Sequence, residues 1–142
     1  MILRAERTLE CQAFNQLYVH AYNLVLKAGG SRKTVVLGER IQENGTLVRE
    51  NYQIPEGHLE ALSKEGWVVL DILSFQPQIE DLLAKQKMTR YPNPYLHDFS
   101  IPLITSGIFA TVHFAENFSE SFDALQEHAA ARSYEVPIAY LM

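Results

Sequence analysis

The stretch from His58 to Phe75, HLEALSKEGWVVLDILSF, restricts the fold of this chain more than any other. Its first half has helical spacing, with Leu59 and Leu62 turned inward, and Gly66 stops it. Trp67 to Phe75 follows at once, apolar at odd and even positions alike. A strand without a polar face belongs inside a sheet that is covered above and below.

The other elements are placed around it by the same rules. Met1 to Arg7 is expected to form a short edge strand. Thr8 suits a helix N-cap, and Phe14, Leu17, Tyr18, Ala21, Leu24, Val25 and Ala28 mark one apolar stripe on a helix over 9–28. Gly29-Gly30 ends that helix. Residues 34–42 and 47–54 read as strands around Glu43-Asn44-Gly45-Thr46, and Asn-Gly between strand-like runs is a strong hairpin signal. Pro55 fits the first turn of the helix that Gly66 ends.

The order strand, helix, strand, strand, helix, strand over residues 1–75 is that of a split βαβ, or ferredoxin-like, unit. The rest reads as an addition: a helix over 78–88, a Pro-rich loop over 89–102, a strand over 108–116, a helix to about Arg132 and a last strand in YEVPIAYLM. Asn117 to Glu120 has capping-box spacing, and Pro137 favours an edge position for the final strand. The fold class expected is therefore α+β, in one domain over residues 1–142.

Composition narrows function mainly by exclusion. Apolar residues make up 47% of 142 and charged residues 20%, an ordinary globular balance that argues against disorder. A net charge of −5 lacks the basic surface that grips nucleic acid directly, leaving only an indirect association through a partner. The single Cys11 excludes an internal disulfide and a cysteine-based zinc site. No run of apolar residues is long enough for a membrane span, so no membrane partner is expected, and the location expected is cytoplasmic.

Candidate chemistry is sparse. Gly29-Gly30-Ser31-Arg32-Lys33-Thr34 has the residue types of an anion cradle, but its glycines follow a helix instead of preceding one. Cations there complement the negative end of the helix dipole. Asp71 shares a face with Trp67, Val69, Leu73 and Phe75, so its carboxylate needs an arginine partner, solvent at the strand end or a raised pKa. His113 lies opposite Val112 and Phe114. No H-x-T/S pair, H-x-x-x-H or G-x-S-x-G motif is present. No catalytic residue, metal ligand or cofactor is assigned.

The Pro-rich loop is the remaining feature. Arg90, Tyr91, Asn93, Tyr95, His97, Asp98 and Phe99 combine aromatic, cationic and hydrogen-bonding side chains on a proline-stiffened segment. The expected function is a non-catalytic assembly subunit of a larger protein or ribonucleoprotein complex. Its partner would be another protein or a second copy. On that reading Tyr95→Ala with Phe99→Ala removes partner capture and leaves folding intact. The alternative is a small-ligand protein (for a nucleotide or phosphate) or a hydrolase, using Arg32, Lys33, Asp71, His97, Asp98 and His113. An interface spreads such residues over a patch, whereas a pocket makes them converge.

Overall fold

The computed structural model describes residues 1–37, 40–41, 47–48, 57–86, 94–115 and 118–141. In chain order the first elements are β1 (Ile2–Leu3), α1 (Phe14–Lys27), β2 (Lys33–Leu37), β3 (Arg40–Ile41) and β4 (Leu47–Val48). Then come α2 (His58–Lys64), β5 (Val68–Leu70), a 3-10 turn (Ile72–Phe75) and α3 (Gln76–Gln86). A π-helical turn (Tyr95–Ser100) runs into α4 (Ile101–Ile104), followed by β6 (Thr111–Phe114), a 3-10 turn (Phe118–Glu120), α5 (Phe122–Ser133) and β7 (Ile138–Tyr140).

Five strands form one sheet in the spatial order β1-β5-β2-β6-β7, and all neighbours are parallel. The ferredoxin-like order is therefore not what the chain adopts, and the class is mixed α/β. The hairpin pairs with itself: β3 and β4 make a separate antiparallel ribbon, Arg40 opposite Val48 and Ile41 opposite Leu47. With the hairpin outside the main sheet, β2 and β5 become parallel neighbours joined across α2. The Asn44-Gly45 turn itself lies outside the described residues.

Parallel strands need crossovers, and these are overwhelmingly right-handed. The connections from β1 to β2, β5 to β6 and β6 to β7 all step the same way across the sheet. Residues of α1, α3, α4 and α5 share one core with Val35, Leu37, Leu70, Val112 and Phe114. The step from β2 back to β5 runs the other way, and Leu59 and Leu62 of α2 pack with Val36, Val69 and Leu141 on the opposite face. Reversing direction and face together preserves the hand. That is why, among the described residues, α2 covers one side and α1, α3, α4 and α5 the other.

β5 is an interior strand, as its two-sided apolar pattern requires, with Val69 and Leu70 fully buried. It is shorter than the run Trp67–Phe75 predicts. Ser74 donates its amide and its hydroxyl to the Asp71 carbonyl, at 3.1 and 2.6 Å, which coils Ile72–Phe75 into a 3-10 turn. Such local side-chain bonds compete with strand pairing. β1 and β7 take the two edges, as expected.

Three helix starts differ from expectation. α2 begins at His58 with Gly57 at its N-cap, so its first turn does not hold Pro55, which lies outside the described residues. α1 begins at Phe14, not near Thr8, and Gln16 reaches back to accept from the Gln12 amide at 2.7 Å. α5 is capped by Ser121, whose hydroxyl accepts from the Ala124 amide, while Phe118–Glu120 coil beforehand. The described part of the Pro-rich segment is helical from residue 94 to 104, not a loop. Pro102 lacks an amide and its ring crowds the carbonyl of residue 98, and the turn before it widens, with the Ile101 amide bonded to the Leu96 carbonyl.

Candidate functional site

In open parallel sheets, loops at the carboxyl ends of the strands form the crevices that take ligands. Here a cavity of about 490 Å³ opens between the segment that follows β1 and the start of α3. Arg7, Thr8, Glu10, Cys11 and Gln12 form one wall, and Gln78, Asp81 and Lys85 the other. The segment is turned back by a bond from the Leu9 amide to the Glu6 carbonyl. Gln78 ties the walls together by donating to the Leu9 carbonyl at 3.3 Å.

The charges lining the cavity are unequal in freedom. Asp81 and Lys85 are paired at 2.9 Å one helical turn apart. Neither Arg7 nor Glu10 is in an ion pair among the described residues. Cys11 is buried, and burial pushes its thiol pKa up. The reactive form of cysteine is the thiolate, which a raised pKa suppresses at neutral pH. The cavity thus offers hydrogen bonds and charge of both signs, without an activated nucleophile.

Asp71 closes β5 at the same carboxyl edge. Its Oδ2 accepts from Arg4 Nε at 3.1 Å, so the expected arginine partner comes from the segment after β1. Its Oδ1 is buried without a hydrogen-bond partner among the described residues. The Ala5 amide donates to Ser74 Oγ at 2.8 Å, which pins the same two segments together.

Arg32, Lys33 and His113 do not join that site. Arg32 lies over the Trp67 ring at 4.4 Å and donates to the Glu65 carbonyl at 2.8 Å, on the amino-terminal side of the sheet. Lys33 opens β2. His113 is buried beside Trp67, with Nδ1 2.7 Å from Thr34 Oγ1. Desolvation lowers its pKa, only partly opposed by Glu65. The six residues of the ligand alternative are thus dispersed over the amino edge (Arg32, Lys33), the sheet face at β6 (His113), the carboxyl edge (Asp71) and the π-helical turn (His97, Asp98).

The interface candidates divide as well. Tyr95 and Phe99 are core residues, 2% and 0% exposed, packed on each other and on Phe14 and Phe75. His97 and Asp98 are exposed on the same turn. Arg90, Tyr91 and Asn93 lie outside the described residues. The double substitution of Tyr95 and Phe99 is consequently a core deletion, not a surface probe.

Sequence reasoning missed two groupings. The cavity was hidden because the helix expected over 9–28 begins only at Phe14, which leaves Thr8 to Gln12 as an irregular segment. The other is a buried polar cluster on α5: Asp123 and Glu127, one turn apart and fully buried, with Ser100 donating to Glu127. The backbone of β3 packs beside this helix. The spacing of Asp123 and Glu127 around Ala124 and Ala131 places both carboxylates on the buried side, a signal available in the sequence. Among the described residues no group of three or more His, Cys, Asp or Glu can hold a metal ion, and no helix is long and apolar enough to cross a membrane. Compared with known proteins, the chain matches no family model, no curated protein and no solved structure.

Proposed function

We propose that the chain is a binding protein for a small polar molecule, held between residues 7–12 and α3 without covalent chemistry by the chain. The observation that carries this reading is the cavity of about 490 Å³ at the carboxyl edge of a parallel sheet. Its volume falls within the roughly 300–1,000 Å³ of small-molecule sites. Arg7 and Glu10, with Thr8, Gln12 and Gln78, supply recognition by charge and hydrogen bonding. The raised pKa of Cys11 argues for binding over thiolate catalysis. Assembly through residues 90–99 has weaker support, because the described aromatic side chains of that segment turn into the core.

Thermal unfolding of the purified protein against nucleotides, sugar phosphates, amino acids and dicarboxylates tests the proposal. A ligand at 100 times its Kd stabilises the native state by about 2.7 kcal/mol. That raises Tm by on the order of 5–10 °C for a domain of this size. Thr8→Trp, at an exposed position in the wall, fills the cavity and is expected to erase the shift while leaving the ligand-free Tm near wild type. A shift that survives in Thr8→Trp, or no shift with any class, rejects this site.

A further inference from the structure

The two edges of the sheet are not equivalent. At β1 the Met1 and Leu3 carbonyls accept from Val69 and Asp71, so within the strand only Ile2 turns its peptide groups outward. The Arg4–Asp71 ion pair stands just beyond it. At β7 the Pro137 carbonyl accepts from Val112 and the Leu141 amide donates to Phe114. By strand alternation Ala139 also faces β6, while Ile138 and Tyr140 direct both N–H and C=O away from the sheet. No strand among the described residues pairs with that side. Natural edge strands are blunted by charge, proline or shortness; residues 136–141, VPIAYL, carry no charge, and Pro137 precedes the two residues whose peptide groups face outward.

We infer that β7 is a self-association edge, and that its partner is β7 of a second copy of this chain. A two-fold axis through Ala139 sets the strands antiparallel. Ile138 of each copy then lies opposite Tyr140 of the other, and the outward amide and carbonyl of each meet those of its opposite number. This is the hydrogen-bonded pair of an antiparallel ladder. Ala139 faces its own counterpart across the axis as a non-hydrogen-bonded pair, with Cα atoms about 4.5 Å apart. A symmetric contact of this kind is closed, so it yields a dimer and not a filament.

Strand pairing alone buries too little for a stable interface, which needs roughly 800 Å² from each partner. Exposed apolar side chains on β7 and on α5, the helix that His128 ties to β7, are available to add to it. Tyr140 is 49% and Tyr134 66% exposed. On α5, Leu125 and Phe122 are also exposed. They lie about 60° and 120° round the helix from His128, on the side away from Ala124 and Ala131. His128 in turn bonds the Tyr140 hydroxyl at 2.7 Å, which keeps this helix flank next to the strand.

Ala139→Cys in a Cys11→Ser background tests the register. The expected result is an intermolecular disulfide on mild oxidation, because non-hydrogen-bonded opposite residues meet the Cα spacing a disulfide needs. In light scattering, the wild-type chain is expected at twice its 16.2 kDa mass. Ala139→Lys, which sets two ammonium groups against each other at the axis, is expected to be a folded monomer. A wild-type monomer overturns the inference, as does a dimer that neither cross-links in the Ala139→Cys variant nor dissociates in the Ala139→Lys variant. Circular dichroism of each variant confirms folding. None of these readouts depends on the cavity ligand.

Discussion

Thr34 gives its hydroxyl proton to the Thr111 carbonyl at 2.6 Å, so its oxygen is left to accept from His113 Nδ1. The neutral ring with hydrogen on Nδ1 fits this bond, and burial favours that uncharged form by lowering the pKa. The consequence for stability has a definite sign. The unfolded chain takes up the proton near pH 6.5 and the folded chain only at lower pH, so stability falls as pH drops through 6.5 and levels off below the folded pKa. His128, lowered by desolvation and by Arg132, adds to the loss in the same direction. Urea midpoints at pH 7.5 and 5.0 are expected to differ more for wild type than for His113→Asn, whose side-chain amide nitrogen takes the place of Nδ1 as a donor to Thr34 but does not titrate. An equal difference in both proteins would remove His113 from this role. The facing of His113 was legible from strand alternation. Its partner was not, because register between parallel strands joined by long crossovers leaves no local mark in the sequence.

The segment from residue 94 to 104 shows how far local rules reach along an element. Pro94 and Pro102 argue for extended chain, yet burial of Tyr95, Leu96, Phe99 and Leu103 overrides them. The helix absorbs Pro102 by widening, a solution that propensity arguments do not supply. Phe99→Ala is expected to cost about 3–5 kcal/mol in urea denaturation, as for an aromatic ring removed from a packed core. Asp98→Ala, exposed one residue earlier, is expected to stay within about 0.5 kcal/mol of wild type. Loss of only a few tenths from Phe99→Ala would place that ring outside the core. At the start of α5 the cap is Ser121 and not Asn117, so Ser121→Ala is expected to lower stability by about 1 kcal/mol. Element existence was largely legible here, in α1, α2, α3, α5 and both edge strands. The starts of α1 and α5 were not, since Thr8, Asn117 and Ser121 all have capping side chains and tertiary packing selects among them.

Across the molecule, two-sided burial of β5 was read correctly from Val68, Val69 and Leu70, but the strand order was not. The Asn44-Gly45 signal marks a hairpin and says nothing of which sheet the hairpin joins. Once β3 and β4 pair with each other, handed crossovers account for the rest of the layout, including the placement of α2 on the face opposite the other described helices. The carboxyl-edge cavity follows from that layout and could not be assigned to a split βαβ. The strand order also sets a timetable. Among the described residues β1 pairs only with β5, and β5 lies between it and β2, so β1 and β2 cannot zip together however long they wait. On a ribosome releasing the chain from its amino end, the first permissible rung of the ladder arrives only with Val68–Leu70. Until then the apolar stripe of α1 has no sheet to dock on, so the amino-terminal quarter of the chain waits for β5 before its core can close.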